Sequence, residues 1–478
     1  MKIKHTGVAV VLAVAIACAT NPATGRKQLI LMSEAEEIAL GQKSDAEIRQ
    51  QMGAYDDPAL QRYIDGIGQR LARTSYRPNL KWTFTVVDES AVNAFALPGG
   101  FIYVTRGILP FIRNEAEISG VVGHEVGHVD GKHSVDQYSK QMLAGGALAA
   151  GSVLAPRYKT AFGAGGLVAG LAFLKFGRDA ELEADRLGVR YASASGWAPQ
   201  AMEGVLGTLG RLDAAQGSSR GVPNWALTHP PAEDRIAKIQ EAIAAAASLG
   251  GKATNAAEFE RAIDGIVVGD SREKGMVRGN EFVHPIMRFS LRFPETWLIA
   301  NGATQVAAVE NDQGHVAMLL EISKSTASSP AAAARDDMSK AGFTETGGGA
   351  TRINGLDAYV GTYEGTSDTT RILMRAAHIR SGNTTYLVAG LATPTDFSRV
   401  DRLFATTIQS FRQLTQQEAD RIQPARLDFY TARSGDTWDS LAKQSGGATK
   451  ASSLAIMNGS DPATPPKPGA RIRIVVGG

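Results

Sequence analysis

His124-Glu125-Val126-Gly127-His128 is the stretch on which the rest of the chain turns. On a helix, residues four apart share a face, so the two imidazoles can grip one metal ion while the glutamate between them addresses a bound water. The surroundings support a helix independently. Asn114 stands as N-cap with Glu117 three residues on, and Ile118, Val122, Val126 and Val129 form an apolar stripe, a setting in which two solvated histidines and a glutamate would be out of place.

A catalytic site of this type needs a third protein ligand and an open fourth position. In the extended pattern HExxHxxGxxH, Gly131 fits but the last position is Ser134, and His133 is one residue off. The alternative is a carboxylate from a second helix, and Arg178-Asp179-Ala180-Glu181-Leu182-Glu183-Ala184-Asp185 offers one. Glu181 and Asp185 share a helix face, so one can ligate while the other orients a histidine through its second nitrogen; Glu183 points elsewhere.

Working outward, helices are expected from Ser33 to Gln50 and from Pro58 to Thr74. A strand is expected at Lys81–Asp88, and a hairpin runs through Ala94-Phe95-Ala96-Leu97, Pro98-Gly99-Gly100 and Phe101-Ile102-Tyr103-Val104. The strand beginning at Asn93, Ala94 and Phe95 can pair with an extended substrate, which reads backbone rather than side chains. The segment from Met142 to Phe176 is rich in glycine and alanine and is interrupted by Pro156, Arg157 and Lys159. Its apolar runs fall short of the roughly 20 residues a span requires, so packed helices beside the site, able to act as a lid, are expected.

The chain has 478 residues, 44% hydrophobic and 21% charged, which fits several globular domains and excludes wholesale disorder. A net charge of +2 makes it a poor nucleic-acid binder, and the single cysteine excludes an intrachain disulfide framework. That cysteine, Cys18, follows a basic start and the apolar stretch GVAVVLAVAIA, the pattern of a secretory leader. Ala15-Ile16-Ala17-Cys18 resembles a bacterial lipobox, which implies lipidation of Cys18. Acyl chains would then anchor the protein in the periplasm, and since no Asp follows the cysteine, resemblance to lipoprotein sorting in Gram-negative bacteria implies the outer membrane.

HEVGH, His133-Ser134, Arg178-x-x-Glu181-x-x-Ala184-Asp185, the stretch Asn93 to Gly100 and the early NPATGRKQL and SEAEEIALGQ segments resemble the HtpX-like and CAAX-prenyl-protease family of gluzincin metallopeptidases, in its periplasmic BepA-like branch. The resemblance covers roughly Asn21 to Ala246. It implies one Zn2+ held by His124, His128 and Glu181, Glu125 as general base, and Asp185 and Arg178 behind the ligands. A downstream His-Pro pair is further implied near the zinc, and Thr228-His229-Pro230 stands in that place. His229 is then either a fourth ligand that latches the resting site or a catalytic donor to the tetrahedral oxyanion.

The expected fold class is α+β and multidomain. A leader (1–18) precedes a mainly helical zincin peptidase domain with a small edge hairpin (19–250). A linker (251–276), an antiparallel α+β domain weakly similar to PsbP-like domains (277–413) and a connector (414–426) follow. Last comes a small βααβ unit resembling LysM modules (427–478). His284, His315 and His378 are isolated and read as incidental. The expected function is a zinc endopeptidase acting on unfolded or misassembled envelope proteins, with membrane contact through the lipid and with peptidoglycan and the outer-membrane assembly machinery as further partners. The competing readings are an envelope chaperone or peptidoglycan-binding scaffold with a latent metal site, and a zinc amidase acting on peptidoglycan.

Overall fold

The Ser33 side chain accepts from the Glu36 amide while the Glu36 carboxylate accepts from the Ser33 amide, and helix α1 (Glu34–Met52) starts at this capping box. Asp57 caps α2 (Pro58–Ala72), with proline in the first turn where its missing N–H costs nothing. These are the first elements of a computed structural model that describes residues 18–143, 175–216, 225–229, 235–302, 304–310, 316–367 and 370–478. The leader and most of the glycine- and alanine-rich segment therefore lie outside the described residues, as does His315.

Helices and sheets are mixed, and the described residues divide into two units; the first contains those up to 143, 175–269 and 425–478, the second those from 270 to 424. In the first unit, β1 (Thr83–Val87) pairs in parallel with β3 (Phe101–Thr105), and β2 (Ala94–Leu97) pairs antiparallel with β3 as an edge strand, the expected hairpin. Helix α3 (Glu115–Asp130) carries HEVGH, and every one of its residues is buried. Its cap is the expected Asn114, which accepts from the Glu117 amide. Glu117 returns its carboxylate to the Arg113 amide and guanidinium rather than to Asn114.

Two further helices complete the frame, α4 (His133–Leu143) and α5 (Arg178–Ala194). Glycines let α3 and α5 meet backbone to backbone. A Cβ at Gly188 would stand 2.8 Å from the His124 amide nitrogen, and one at Gly127 would stand 3.0 Å from the Ala184 carbonyl. A short ladder, Cys18–Thr20 with Lys27–Leu29, closes the far end of α3, since Asn21 donates to the Asp130 carbonyl and Gln28 to that of Gly131.

Residues 425–478 form the expected β-α-α-β order, with Ala425–Thr431 antiparallel to Arg471–Val476 around helices Trp438–Ala442 and Ala451–Met457. They are not a separate unit. Leu454, Ile456, Ile474 and Val475 belong to one apolar core with Val122 and Val126 of α3, and Ala425–Arg426 pair with Val267–Val268. The stretch read as a linker likewise holds a helix, Ala256–Ile263, whose Phe259 and Ile263 are in that core. Short amphipathic elements bury an apolar face equally well in a private core or a shared one, and sequence periodicity does not distinguish the two.

The second unit is built on a seven-stranded antiparallel sheet flanked by helices Pro330–Lys340 and Pro394–Gln409. Alternation along its strands feeds two cores: Ala377, Ile379 and Val388 pack with Phe404, while Ala376, Leu387 and Ala389 pack with Met338. Among the described residues no helix is long and apolar enough to cross a membrane.

Candidate metal centre

One turn of α3 places the His124 and His128 rings 4.6 Å apart, with their Nε2 atoms 2.9 Å from each other. Because the glycines draw α5 close, Glu181 reaches both: Oε1 lies 3.5 Å from His128 Nε2 and Oε2 3.6 Å from His124 Nε2. His229 closes the figure, its Nδ1 3.3 Å from His124 Nε2 and 3.1 Å from Glu181 Oε1. One atom from each of these four buried side chains lies within 4.8 Å of the other three. A tetrahedral ion with bonds of about 2.0–2.1 Å requires donors about 3.3 Å apart, which these separations fit.

The groups behind the donors set their protonation. Asp185 Oδ1 is 2.8 Å from His124 Nδ1, so the carboxylate takes that N–H and leaves the Nε2 lone pair facing the cluster. Arg235 holds Asp185 in turn, with Nε on Oδ2 at 2.6 Å and Nη2 on Oδ1 at 2.9 Å, and its Nη1 is 3.1 Å from Glu181. His128 has a different support. Its Nδ1 meets His133 Nδ1 at 2.8 Å, and His133 Nε2 meets Glu183 Oε2 at 3.1 Å. The carboxylate accepts from His133 Nε2–H, His133 Nδ1 accepts from His128 Nδ1–H, and the His128 Nε2 lone pair faces the cluster. Burial pulls the His128 imidazole well below its ordinary value, which keeps it neutral.

Glu125 stands apart from this network. It is fully buried, and neither carboxylate oxygen has a hydrogen-bond partner among the described residues; the nearest base is His229 Nε2 at 3.5 Å from Oε1. Burial pushes its carboxyl above the ordinary value, against the pull of His229 and His124. One oxygen and three nitrogen donors that converge, with an orphaned carboxylate beside them, fit a divalent metal.

Aromatic rings wall the centre. Phe176 stacks on His128 at 4.2 Å and Trp225 on His229 at 4.1 Å. The short helix Trp225–Thr228, which leads directly into His229, is tied to the residues just ahead of the edge strand, with the Trp225 amide on the Val92 carbonyl at 2.9 Å and Thr228 Oγ1 3.4 Å from Asn93 Oδ1. Asn93, Ala94 and Phe95 are buried at that edge.

The structure thus brings together His124, Glu125, His128, Glu181, Asp185 and His229. Arg178 opens α5 and lines a neighbouring hollow, while Cys18 pairs with Leu29 in the short ladder. Sequence reading missed His133, Glu183 and Arg235 as supports. His133 follows Lys132, whose φ of 51° turns the chain back on the helix, a bend that helical spacing does not register.

Residues 58–243 match the model of peptidase family M48. The beta-barrel assembly-enhancing protease of Escherichia coli (strain K12) is 31% identical over 228 residues, 46% of this chain and 46% of that protein. The mitochondrial metalloendopeptidase OMA1 of Schizosaccharomyces pombe is 32% identical over 181 residues, 37% of this chain and 52% of that one. Hence the chain spans about half the length of the curated relatives it matches. Among solved structures, PsbP (CyanoP) of Synechocystis sp. PCC 6803 is similar over 29% of this chain and 95% of its own, at 13% identity and a TM-score of 0.23. With the histidine and glutamate cluster lying inside the matched stretch, the chain carries a metallopeptidase domain of family M48 at residues 58–243.

Proposed function

We propose that this chain is a zinc-dependent endopeptidase of the bacterial periplasm, anchored to the outer membrane through Cys18, that hydrolyses unfolded or misassembled envelope proteins. The observation that carries the reading is Glu125, a buried carboxylate with no hydrogen-bond partner among the described residues, beside four converging metal donors. A scaffold would have no use for a base in that position. The similarity to proteases named for β-barrel assembly supports clients in the outer membrane.

His124, His128 and Glu181 would hold the zinc, which when bound supplies a water of lowered pKa and a Lewis acid for the scissile carbonyl. Glu125 takes the proton from the attacking water and returns it to the departing amine. Asp185 and the His133–Glu183 pair fix the tautomers of His124 and His128. His229 Nδ1 occupies the fourth corner, which favours a resting state that is closed until the Trp225–His229 segment withdraws. The same segment is tied to Val92 and Asn93, where an extended substrate would begin to pair with the edge strand. The C-terminal β-α-α-β segment is read as LysM-like, with peptidoglycan as its partner, and residues 277–413 as a PsbP-like adaptor.

Cleavage of casein by the zinc-loaded chain tests the reading. Wild type should cut, Glu125→Gln should retain zinc and lose activity by about 10²–10⁴-fold, and His229→Ala should cut faster. Three zinc-loaded proteins that all fail to cut casein would favour a holding or scaffolding role.

A further inference from the structure

The seven-stranded sheet of the second unit ends differently on its two sides. At one end Leu298–Asn301 is half-buried along its length, and Asn301 Nδ2 donates to the Gly275 carbonyl at 2.9 Å. At the other end Thr344–Ile353 is ten residues long, and the first nine are exposed. Among the described residues no strand pairs with its outer side. An open edge of that length is a template for another strand, and proteins usually blunt such edges with proline, lysine or brevity. Thr-Glu-Thr-Gly-Gly-Gly-Ala-Thr-Arg-Ile has neither proline nor lysine. Its three glycines leave the main chain bare, as they do where a second backbone comes close.

What the strand does carry is a bulge and two charges. Against its neighbour Leu356–Ser367, Glu345 faces Tyr363 and Gly347 faces Thr362, so Thr346 is an extra residue. Past the bulge, Gly348, Ala350 and Arg352 oppose Gly361, Tyr359 and Asp357, which alternate in step with Tyr363. Arg352 therefore lies on the same sheet face as Glu345. We propose that this edge is a self-association surface, on which the same strand of a second copy pairs antiparallel about a two-fold axis at Gly349. In that register Gly348 meets Ala350 and the bulged pair Thr346–Gly347 meets Thr351. Because the bulge absorbs one residue, Glu345 then meets Arg352 on a shared face; without it Glu345 would fall opposite Ile353. A bulge that spoils the edge for a regular strand thus fits the same bulge run in reverse, and the two-fold supplies the Glu–Arg pair at both ends. Contacts within the chain leave room for it. Arg352 Nε is 2.9 Å from Asp357 Oδ1 with both side chains largely in solvent, and Tyr359 donates to Glu345 Oε1 at 2.6 Å. A guanidinium fork can serve a carboxylate on either side, and a carboxylate accepts at both oxygens. The surface is independent of the peptidase reading.

Sedimentation velocity of the zinc-loaded chain from about 1 to 100 µM reads the association. Wild type should dimerise. Glu345→Arg sets like charges against Arg352 of the second copy at both ends, and Arg352→Glu does the same against Glu345, so each alone should weaken dimerisation by about tenfold. Mixed in equal amounts, the two variants should pair with each other, because positions 345 and 352 are then opposite in charge at both ends; native mass spectrometry identifies the heterodimer. A variant that had merely misfolded would not be rescued in this way. A wild type that stays monomeric overturns the proposal, as do single reversals that leave dimerisation unchanged or a mixture that stays monomeric. Wild-type monomers that bind extended peptides, with the binding lost in Gly348→Pro, would assign the edge to client polypeptide and overturn self-pairing.

Discussion

The guanidinium of Arg473 donates to the carbonyl of Arg113 at 3.1 Å, one residue ahead of the cap of the helix that bears HEVGH. A second donation, to the Pro110 carbonyl at 3.2 Å, makes the last strand a brace on the entry to that helix. Burial pushes this arginine down to about 10, so the contact is costly to make and more costly to leave half made. Arg473→Met should lower stability by about 2 kcal/mol through two orphaned carbonyls, read as a drop in Tm of the zinc-loaded chain. An unchanged Tm would show that the brace is idle.

Gly188 governs whether the second carboxylate arrives. Its added Cβ in Gly188→Ala meets the His124 amide nitrogen at 2.8 Å, backbone against backbone, with no flexible side chain to yield. We expect a loss of about 1–3 kcal/mol from overpacking, accompanied by weaker metal binding as Glu181 retreats. Gly66, where an added Cβ meets nothing within 4 Å, is the control.

Asp185 bonds the outer nitrogen of His124 and is not among the four clustered side chains. Asp185→Ala should weaken zinc binding by about 10–100-fold, measured by competition with a chromophoric chelator, and should leave Arg235 buried without its main partner. Removing zinc from the wild type should lower its Tm, and adding it back should raise the Tm by an amount that grows with the logarithm of the free zinc.

In the second unit, burial pulls the His284 imidazole down to about 4, with its Nδ1 accepting from the Met287 amide at 3.3 Å. Unfolded, the ring titrates near its ordinary value of about 6.5. Between those values the unfolded chain binds a proton that the folded chain refuses. Stability is therefore complete above about pH 6.5 and falls as the pH drops toward 4, with a ceiling of about 3 kcal/mol. Urea midpoints at pH 7 and 4.5 should diverge in the wild type and draw together in His284→Gln.

The register Ala425↔Val268 and Arg426↔Val267 brings the two ends of the second unit's sequence to neighbouring positions on one ladder. Residues 270–424 should then be replaceable by a two- to four-residue turn, since a hairpin needs no more. The shortened chain should stay soluble, bind zinc and unfold in a single transition; aggregation would mean that the first unit depends on the second for folding.

Much of the centre was legible because its parts lie at helical spacings. His124 and His128 are four apart, Glu181 and Asp185 are four apart, and Asn114 with Glu117 announces the cap. What escaped depends on chain reversals and distance. His133 is placed by the turn at Lys132, Glu183 serves that histidine from a different face than Glu181, and Arg235 arrives from a helix 50 positions beyond Asp185. The sharing of one core by residues 425–478 and α3 was hidden for a related reason. Trp438, Leu454 and Ile474 mark buried faces, but nothing in their spacing names the partner across the interface.

The brace from Arg473 also links stretches of the chain that lie far apart in sequence. The four clustered side chains all precede residue 230 in sequence, yet the strand that secures the entrance to the helix of two of them is Arg471–Val476. A cut or a misfolded stretch between the two would leave the four side chains in place and the helix entrance without its two donations. Damage far from the cluster along the sequence is thereby felt at the cluster.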